Sequence, residues 1–332
     1  MDERSRRKIL EILRVLDESE RPLGGTRIAQ TLALGGTEMS QRTIRYYLGI
    51  TDRQDLTARE GRRGRRLTER GRQELENAYV VDKVGFVAAR VDALTYRMTF
   101  RLRPAKGEVV VNVSSLDARH LPAAARVLNE VFGAGLSMGQ RLLLAPPGSR
   151  LGRVGLGPQE FGVATVCTMS VNGVLLSEGI PTVTRFGGLL QYVGGRPVRF
   201  TQIINYDGTT LDPLEIFIKG QMTSVGQVVR SGQGVVGASF REIPAPAAGL
   251  ARRLISRMER IGLGGVILLG RPGQPLLEIP VHPGRVGLVV VGGLNPMAAV
   301  EEAGIPTHNR AMGTLMPFED LPTYQEALTP YL

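Results

Sequence analysis

The tetrapeptide Gly179-Ile180-Pro181-Thr182 returns as Gly304-Ile305-Pro306-Thr307, and the spacing from position 179 to position 304, 125 residues, is kept on both sides of it. Gly162-Val163-Ala164-Thr165-Val166 stands at that spacing from Gly287-Leu288-Val289-Val290-Val291, Arg185 from Arg310, and Gly188 from Gly313. Upstream the register slips slightly, and Gly107-Glu108-Val109-Val110 resembles Gly234-Val235-Val236. Each of these is followed by an amphipathic helical pattern, near 122–132 and 247–261. Several identities at one fixed spacing are more than a coincidence of glycine-rich turns. Each half therefore reads strand, helix, strand, then an apolar strand, a short turn and a helix ending at Gly-Ile-Pro-Thr. The apolar strands, 163–166 and 286–291, suit a sheet covered on at least one face. Two copies are too few for a solenoid, so the pattern predicts a duplicated α/β unit.

The residues ahead of this region predict a winged helix-turn-helix. Ile9, Leu13 and Leu16 share one helical face over about 4–16. Arg21-Pro22-Leu23-Gly24-Gly25 ends that helix, and Thr26 is the expected N-cap of a second, which stops at Gly35-Gly36. Ser40 is the expected cap of a third helix over 41–53. Ile44, Tyr47, Leu48 and Thr51 fall on its inner side. Its outer side carries Arg42, Tyr46, Gly49 and Arg53, with Arg45 flanking. Leu56-Thr57 and Leu67-Thr68 read as two short strands around an arginine-loaded turn, with Gly61 and Gly64 permitting the bend. Thr68 then caps a helix to about Tyr79. In this motif the start of the third helix meets base edges and the wing reaches phosphates. The expected DNA contacts are Ser40, Gln41, Arg42, Thr43, Arg45 and Tyr46 on the helix, and Arg62, Arg63, Arg65 and Arg66 on the wing.

Charge agrees with a polyanion partner. The 332 residues carry a formal charge of +10, and only Lys8, Lys83, Lys106 and Lys219 among the basic residues are lysines. Arginine forks onto phosphates and guanine edges better than lysine does. Other classes find little support. Cys167 is alone, so there is no disulfide framework, and His120, His282 and His308 have no metal-ligand spacing. No apolar run is long enough for a membrane span, and the N-terminus has no signal-peptide pattern, so a cytoplasmic protein is expected. No Walker loop, no Gly-x-Ser-x-Gly elbow and no catalytic carboxylate pair appears. A binding protein without metal or cofactor is expected.

Two turns suit a ligand. Cys167-Thr168-Met169-Ser170-Val171-Asn172-Gly173 leads from an apolar strand into a helix, and Gly292-Gly293-Leu294-Asn295-Pro296 holds the equivalent place. Such turns aim N–H groups at anions, and ligands gather at strand ends of small α/β sheets. Arg185 and Arg310, in matching positions, are suited to carboxylates or to surface salt bridges. The connector 200–218, dense in polar residues, either turns the chain or lines a cleft.

One long set of motifs resembles the regulatory domain of the NrpR nitrogen-regulation repressors. It comprises Thr165-Val166-Cys167-Thr168, Asn172-Gly173-Val174-Leu175-Leu176, Gly179-Ile180-Pro181, Arg185-Phe186-Gly187-Gly188-Leu189-Leu190, and the run from Tyr206-Asp207-Gly208 through Asp212-Pro213 to Phe217. Gly292-Gly293-Leu294-Asn295-Pro296 and Glu302-Ala303-Gly304-Ile305 resemble it too. The resemblance implies a homodimeric repressor, a double-stranded operator of two-fold symmetry, and 2-oxoglutarate as inducer. The best-known members carry two regulatory domains behind the head, and this chain shows one. A dianion of that kind needs cationic and N–H partners, for which Thr168, Ser170, Asn172, Arg185 and Arg310 are the candidates.

The sequence thus predicts an α/β (α+β) chain. A winged helix-turn-helix occupies 1–79, and an internally duplicated α/β effector domain occupies 80–332, with halves of about 80–205 and 206–332. Its expected function is operator binding controlled by a small anionic metabolite, without a membrane. Two alternatives stay open: an α/β enzyme acting on a small organic acid with a DNA-binding head, and a ligand-independent DNA-binding protein with a dimerisation domain.

Overall fold

The computed structural model describes residues 3–332 other than 20, 35, 62, 79–85 and 153, leaving aside the side chains of 3, 4, 6, 7, 73 and 76–78. Two compact units divide the chain, Met1–Gly85 and Phe86–Leu332, beyond the 79/80 boundary read from the sequence.

The first unit orders α1 (Glu3–Asp17), α2 (Gly25–Leu34), α3 (Gln41–Arg53), β1 (Thr57–Arg59), β2 (Arg65–Leu67) and α4 (Glu69–Ala78). Ile9, Ile12, Leu13, Leu16, Ile28, Ile44, Tyr47 and Leu48 form its core, so the inner faces of α1 and α3 are those that helical spacing dictates. Ser40 caps α3, its Oγ accepting from Thr43 N at 3.1 Å. Thr68 caps α4 by accepting from Gly71 N at 2.9 Å. Thr26 does not cap α2: the helix already opens at Gly25, with Ile28 N donating to Gly24 O, so the cap position is two residues earlier. β1 and β2 pair antiparallel, and Leu23 bridges Arg65 on the other side, giving the wing a third strand segment. Gly64 sits at φ +119°, where a Cβ would lie 2.3 Å from the Leu23 carbonyl. Only glycine fits that crossing.

The second unit begins with α5 (Val87–Arg97). Its first half contains β3 (Glu108–Asp117), α6 (Leu121–Gly133), β4 (Leu142–Ala145), a small hairpin β5 (Arg150–Leu151) and β6 (Val154–Gly155), β7 (Glu160–Val166), α7 (Met169–Ser177) and β8 (Val183–Val193). β9 (Arg196–Asn205), α8 (Pro213–Lys219) and α9 (Val225–Ser231) connect the halves. The second half is β10 (Gly234–Pro244), α10 (Ala248–Arg260), β11 (Val266–Leu269), β12 (Arg285–Val291), α11 (Asn295–Glu302) and β13 (Thr307–Pro317), with α12 (Tyr324–Leu328) behind it.

The halves exchange their last strands. One sheet runs β13-β3-β7-β4 and the other β11-β12-β10-β8-β9. The first half's β8 thus completes the second half's sheet on β10, and β13 completes the first half's sheet on β3. Register repeats as well: Ser114 faces Val163 as Arg241 faces Leu288. Val286, Leu288 and Val290 of β12 enter one core and Val289 another, so this strand is buried on both faces, which explains its unbroken apolar run. The long pairings are all antiparallel. The strand-end rule for parallel sheets therefore does not locate a ligand site here.

Candidate functional site

The outer side of α3 presents Gln41, Arg42, Arg45 and Tyr46, with the Tyr46 side chain 65 % exposed. Ser40 and Thr43 are occupied with each other at the cap, their hydroxyl oxygens 2.8 Å apart. On the wing Arg63 is exposed, Arg66 lies 3.3 Å from Glu60, and Arg62 falls outside the described residues. Exposed Arg59 on β1, missed in the sequence because it lies outside the arginine cluster, stands opposite Arg65.

Arg65, expected to meet a phosphate, is engaged within the protein. Its Nε lies 2.9 Å from both Asp52 carboxylate oxygens and its Nη2 2.8 Å from Oδ2, pinning β2 to the end of α3. Partial burial pushes the Asp52 carboxyl up, but hydrogen bonds from Arg65 and Thr57 and the charges of Arg65 and Arg59 outweigh this and hold it below its ordinary value. Arg63→Ala with Arg66→Ala is expected to weaken duplex binding and flatten the log–log salt slope by about 1–2, with an unchanged melting temperature. Arg65→Ala is expected instead to lose about 1–2 kcal/mol of stability. Anisotropy over a salt series together with thermal melting separates the two roles.

In the second unit, side chains from both halves and the connector meet. Asn112, Cys167, Thr168 and Met169, then Tyr206, Asp212 and Leu214, then Gly293, Leu294 and Ala311 line a narrow cavity of about 10 Å³. That is the threshold for a single water. Against this cluster lies Arg241, 0 % exposed. Its Nη1 donates to Thr168 O at 2.7 Å and its Nη2 to Ser239 Oγ at 3.2 Å, while Nε has no partner. No carboxylate pairs with it among the described residues. Burial lowers Arg241 to about 10, so the guanidinium stays charged at neutral pH. A buried unpaired cation costs several kcal/mol. Tyr206 Oη is buried without a partner and is pushed well above its ordinary value, first by burial and then by Asp212. Cys167 is pushed up to about 11 by burial.

Asp212 caps α8, accepting from Leu214 N at 2.9 Å. Burial first, then the Glu215 charge, push it from 3.8 up to about 6. The folded chain thus holds this proton more tightly than the unfolded chain, so the stability Asp212 contributes falls as pH rises from about 4 to about 6. Asp212→Asn keeps a capping oxygen and removes the titration. It is expected to stabilise the protein at pH 7 by on the order of 2–3 kcal/mol, with the difference vanishing below about pH 4 in denaturant melts.

The five effector candidates do not converge. Thr168 lines the cavity. Ser170 is fully buried, and its Oγ bonds both Val110 N and Val110 O. Asn295 grips Gly237 N and O in the same way at the equivalent place, so Ser170 is a structural clasp. Asn172 donates to Thr184 Oγ1 at 2.8 Å, and its Oδ1 is buried without a partner. Arg185 is taken: its Nη1 lies 2.8 Å from Glu242 and 2.6 Å from Pro280 O, and His282 completes the network at 2.8 Å from Glu242. Burial pushes Glu242 up, but His282 and Arg185 outweigh it and hold its carboxyl below the ordinary value. Arg310 sits in the other sheet, exposed in an open cleft of about 390 Å³ with Ser114, Lys219 and His308. Sequence reading missed Arg241, although the 107-to-234 register sets it on Ser114, a charge where the copy has a hydroxyl. Tyr206 and Asp212 belong to the connector that left a cleft lining open. No group of three metal-capable side chains occurs among the described residues.

Residues 84–323 match the NrpR regulatory domains NRD1 and 2, and residues 10–75 match the ribonuclease R winged-helix domain. The chain belongs to the NrpR family of nitrogen regulators. It is 35 % identical to the global nitrogen regulator NrpRI of Methanosarcina mazei, over 97 % of this chain and 99 % of that protein. To the NrpR regulators of Methanococcus maripaludis and Methanocaldococcus jannaschii it is 30 % and 29 % identical, over 89 % and 95 % of its own length. It spans about half of those two, 51 % and 54 %. The crystal structure of a nitrogen repressor-like protein from Methanococcus jannaschii superposes with a TM-score of 0.63 at 25 % identity, covering 72 % of this chain and 99 % of that one. An NrpR regulatory region behind a winged helix makes the chain a DNA-binding regulator of transcription. No helix among its described residues is long and apolar enough to cross a membrane.

Proposed function

We propose that this NrpR-family chain represses nitrogen-assimilation genes as a homodimer on a two-fold operator, and that a small dianion of the 2-oxoglutarate class releases it by entering the cavity beside Arg241. The observation that carries the effector assignment is the guanidinium itself, fully buried and without a carboxylate. One ligand carboxylate supplies the missing countercharge. The Tyr206 hydroxyl, which lines the same cavity and has no partner, is a neutral donor for the ligand.

The cavity, with room for about one water, is far too small for a dicarboxylate, and its walls come from both halves. Entry therefore requires Gly293 and the Cys167-Thr168 turn to part. Gly293 has no slack there, since a Cβ on it would lie 2.4 Å from Val166 O. Ligand binding and rearrangement of the halves are one event. A coupling of roughly 1–3 kcal/mol to dimer geometry changes operator affinity by one to two decades. Two heads about 34 Å apart, or a multiple of that, read the half-sites.

Footprinting on the DNA upstream of the protein's own gene tests this reading. A protected two-fold element that clears on addition of 2-oxoglutarate, but not of succinate or glutamate, is expected. Protection that ignores 2-oxoglutarate removes the effector and leaves a ligand-independent DNA-binding protein. Absence of protection on any nitrogen-assimilation promoter removes the operator reading.

A further inference from the structure

We infer that the regulatory unit holds a second DNA contact, the outer face of α10, which grips the phosphodiester backbone in addition to the winged helix. This rests on the DNA-binding reading above. α10 buries Ala251, Leu254 and Met258 and turns Arg252, Arg253, Ser256, Arg257 and Arg260 onto a groove of about 330 Å³. From the first to the last of these arginines the helix rises about 12 Å.

Three observations separate this face from an ordinary solvated helix. None of the four arginines is in an ion pair among the described residues. Arg260 Nε reaches only Ser256 O of its own helix, at 3.3 Å. The fold does not require the charge, because the equivalent positions of α6 hold Ala125, Arg126, Glu130 and Gly133, a neutral set. The outward side of α10 is also uncovered. α6 packs against α11, α9 and α12, whereas the principal helix neighbour of α10 is α7. Four guanidiniums against one carboxylate, Glu259, within thirteen residues favour a polyanion. Arginine forks match phosphate oxygens in particular. In a chain whose other end binds DNA, the polyanion present at high local concentration is that same DNA.

The test uses the full chain, a fluorescein-labelled random-sequence duplex and a salt series. The variant replaces Arg252, Arg253, Arg257 and Arg260 by Gln, and a companion replaces all four by Lys. The Gln variant is expected to bind at least about tenfold more weakly near 0.1 M salt, with a log–log slope shallower by about 2–4. The Lys companion, which keeps the charge, is expected to recover most of both. Should the fourfold Gln variant melt early, the pairs Arg252/Arg253 and Arg257/Arg260 are changed separately, each with a slope loss of about 1–2. Wild-type affinity and slope in the Gln variants, with the Arg63/Arg66 wing variant weakened, overturn this inference and leave the DNA-binding reading standing. A wild-type chain that binds no duplex overturns both.

Discussion

Arg241→Met is expected to produce a protein that is harder to unfold and deaf to its effector. The side chain fits the same space with one end in the surroundings of Met169, whose sulfur already lies 3.9 Å from Arg241 Nη2. Replacing buried ion pairs by apolar side chains of similar volume is often neutral or stabilising by roughly 1–4 kcal/mol, and a lone buried ion has no pair to offset its desolvation. Against that stands the carbonyl of Thr168, left without its 2.7 Å donor. An abandoned buried acceptor costs about 1–3 kcal/mol. The guanidinium here has two bonds to oxygen, one long contact to the Met169 sulfur and an idle Nε for its full charge, so relief of the charge outweighs the lost bond. We expect a gain of about 1 kcal/mol, a rise of roughly 2–4 °C in melting temperature for a unit of this size. DNA affinity without effector is unchanged, and 2-oxoglutarate no longer lowers it. A large fall in melting temperature would show instead that Arg241 is an architectural ion held by partners other than a ligand.

The second large effect concerns the halves. The repeat reads as two modules of about 80–205 and 206–332, yet neither is expected to fold as a monomer. In a fragment covering 86–205, β8 has lost β10 and β3 has lost β13, so two long central pairings are missing. The apolar rows of Val109, Val111 and Val113 on β3 and of Phe186 and Leu190 on β8 are exposed at unpaired edges. Such edges seek another chain. Circular dichroism and sedimentation of the fragment are expected to show either an unfolded monomer or a folded dimer in which β8 of one copy closes on β3 of the next. Mixing with 206–332 is expected to restore the fold of the whole unit. A stable folded monomer of either half contradicts the exchanged-strand topology.

Much of the local structure was legible because spacing alone decides it. The 41–53 helix with its Ser40 cap, the inner row Ile44-Tyr47-Leu48-Thr51, and the order of elements in each half all follow from periodicity and capping chemistry. The strand exchange was not legible, because a repeat gives the same string whether β8 closes on its own half or on the other. The DNA face was read as a cluster of like residues, and there structure discriminates: Arg65 is spent on Asp52, while Arg63 remains at the surface. Likewise Arg185 and Arg310 match in sequence but differ in surroundings, since the position of Glu242 is taken by Ser115 in the other half. Arg241 stands beside Glu242 in the sequence, where the pair reads as an ordinary surface couple, and only the comparison with Ser114 exposes the anomaly.

The central claim is that an anion at Arg241 controls the grip on DNA, and one paired titration addresses it most directly. Wild type and Arg241→Met are bound to a labelled duplex from upstream of the protein's own gene at fixed salt, and 2-oxoglutarate is added while anisotropy is followed. The account predicts release of the wild type and a flat trace for the variant, from equal starting affinities. Release of both alike would contradict it.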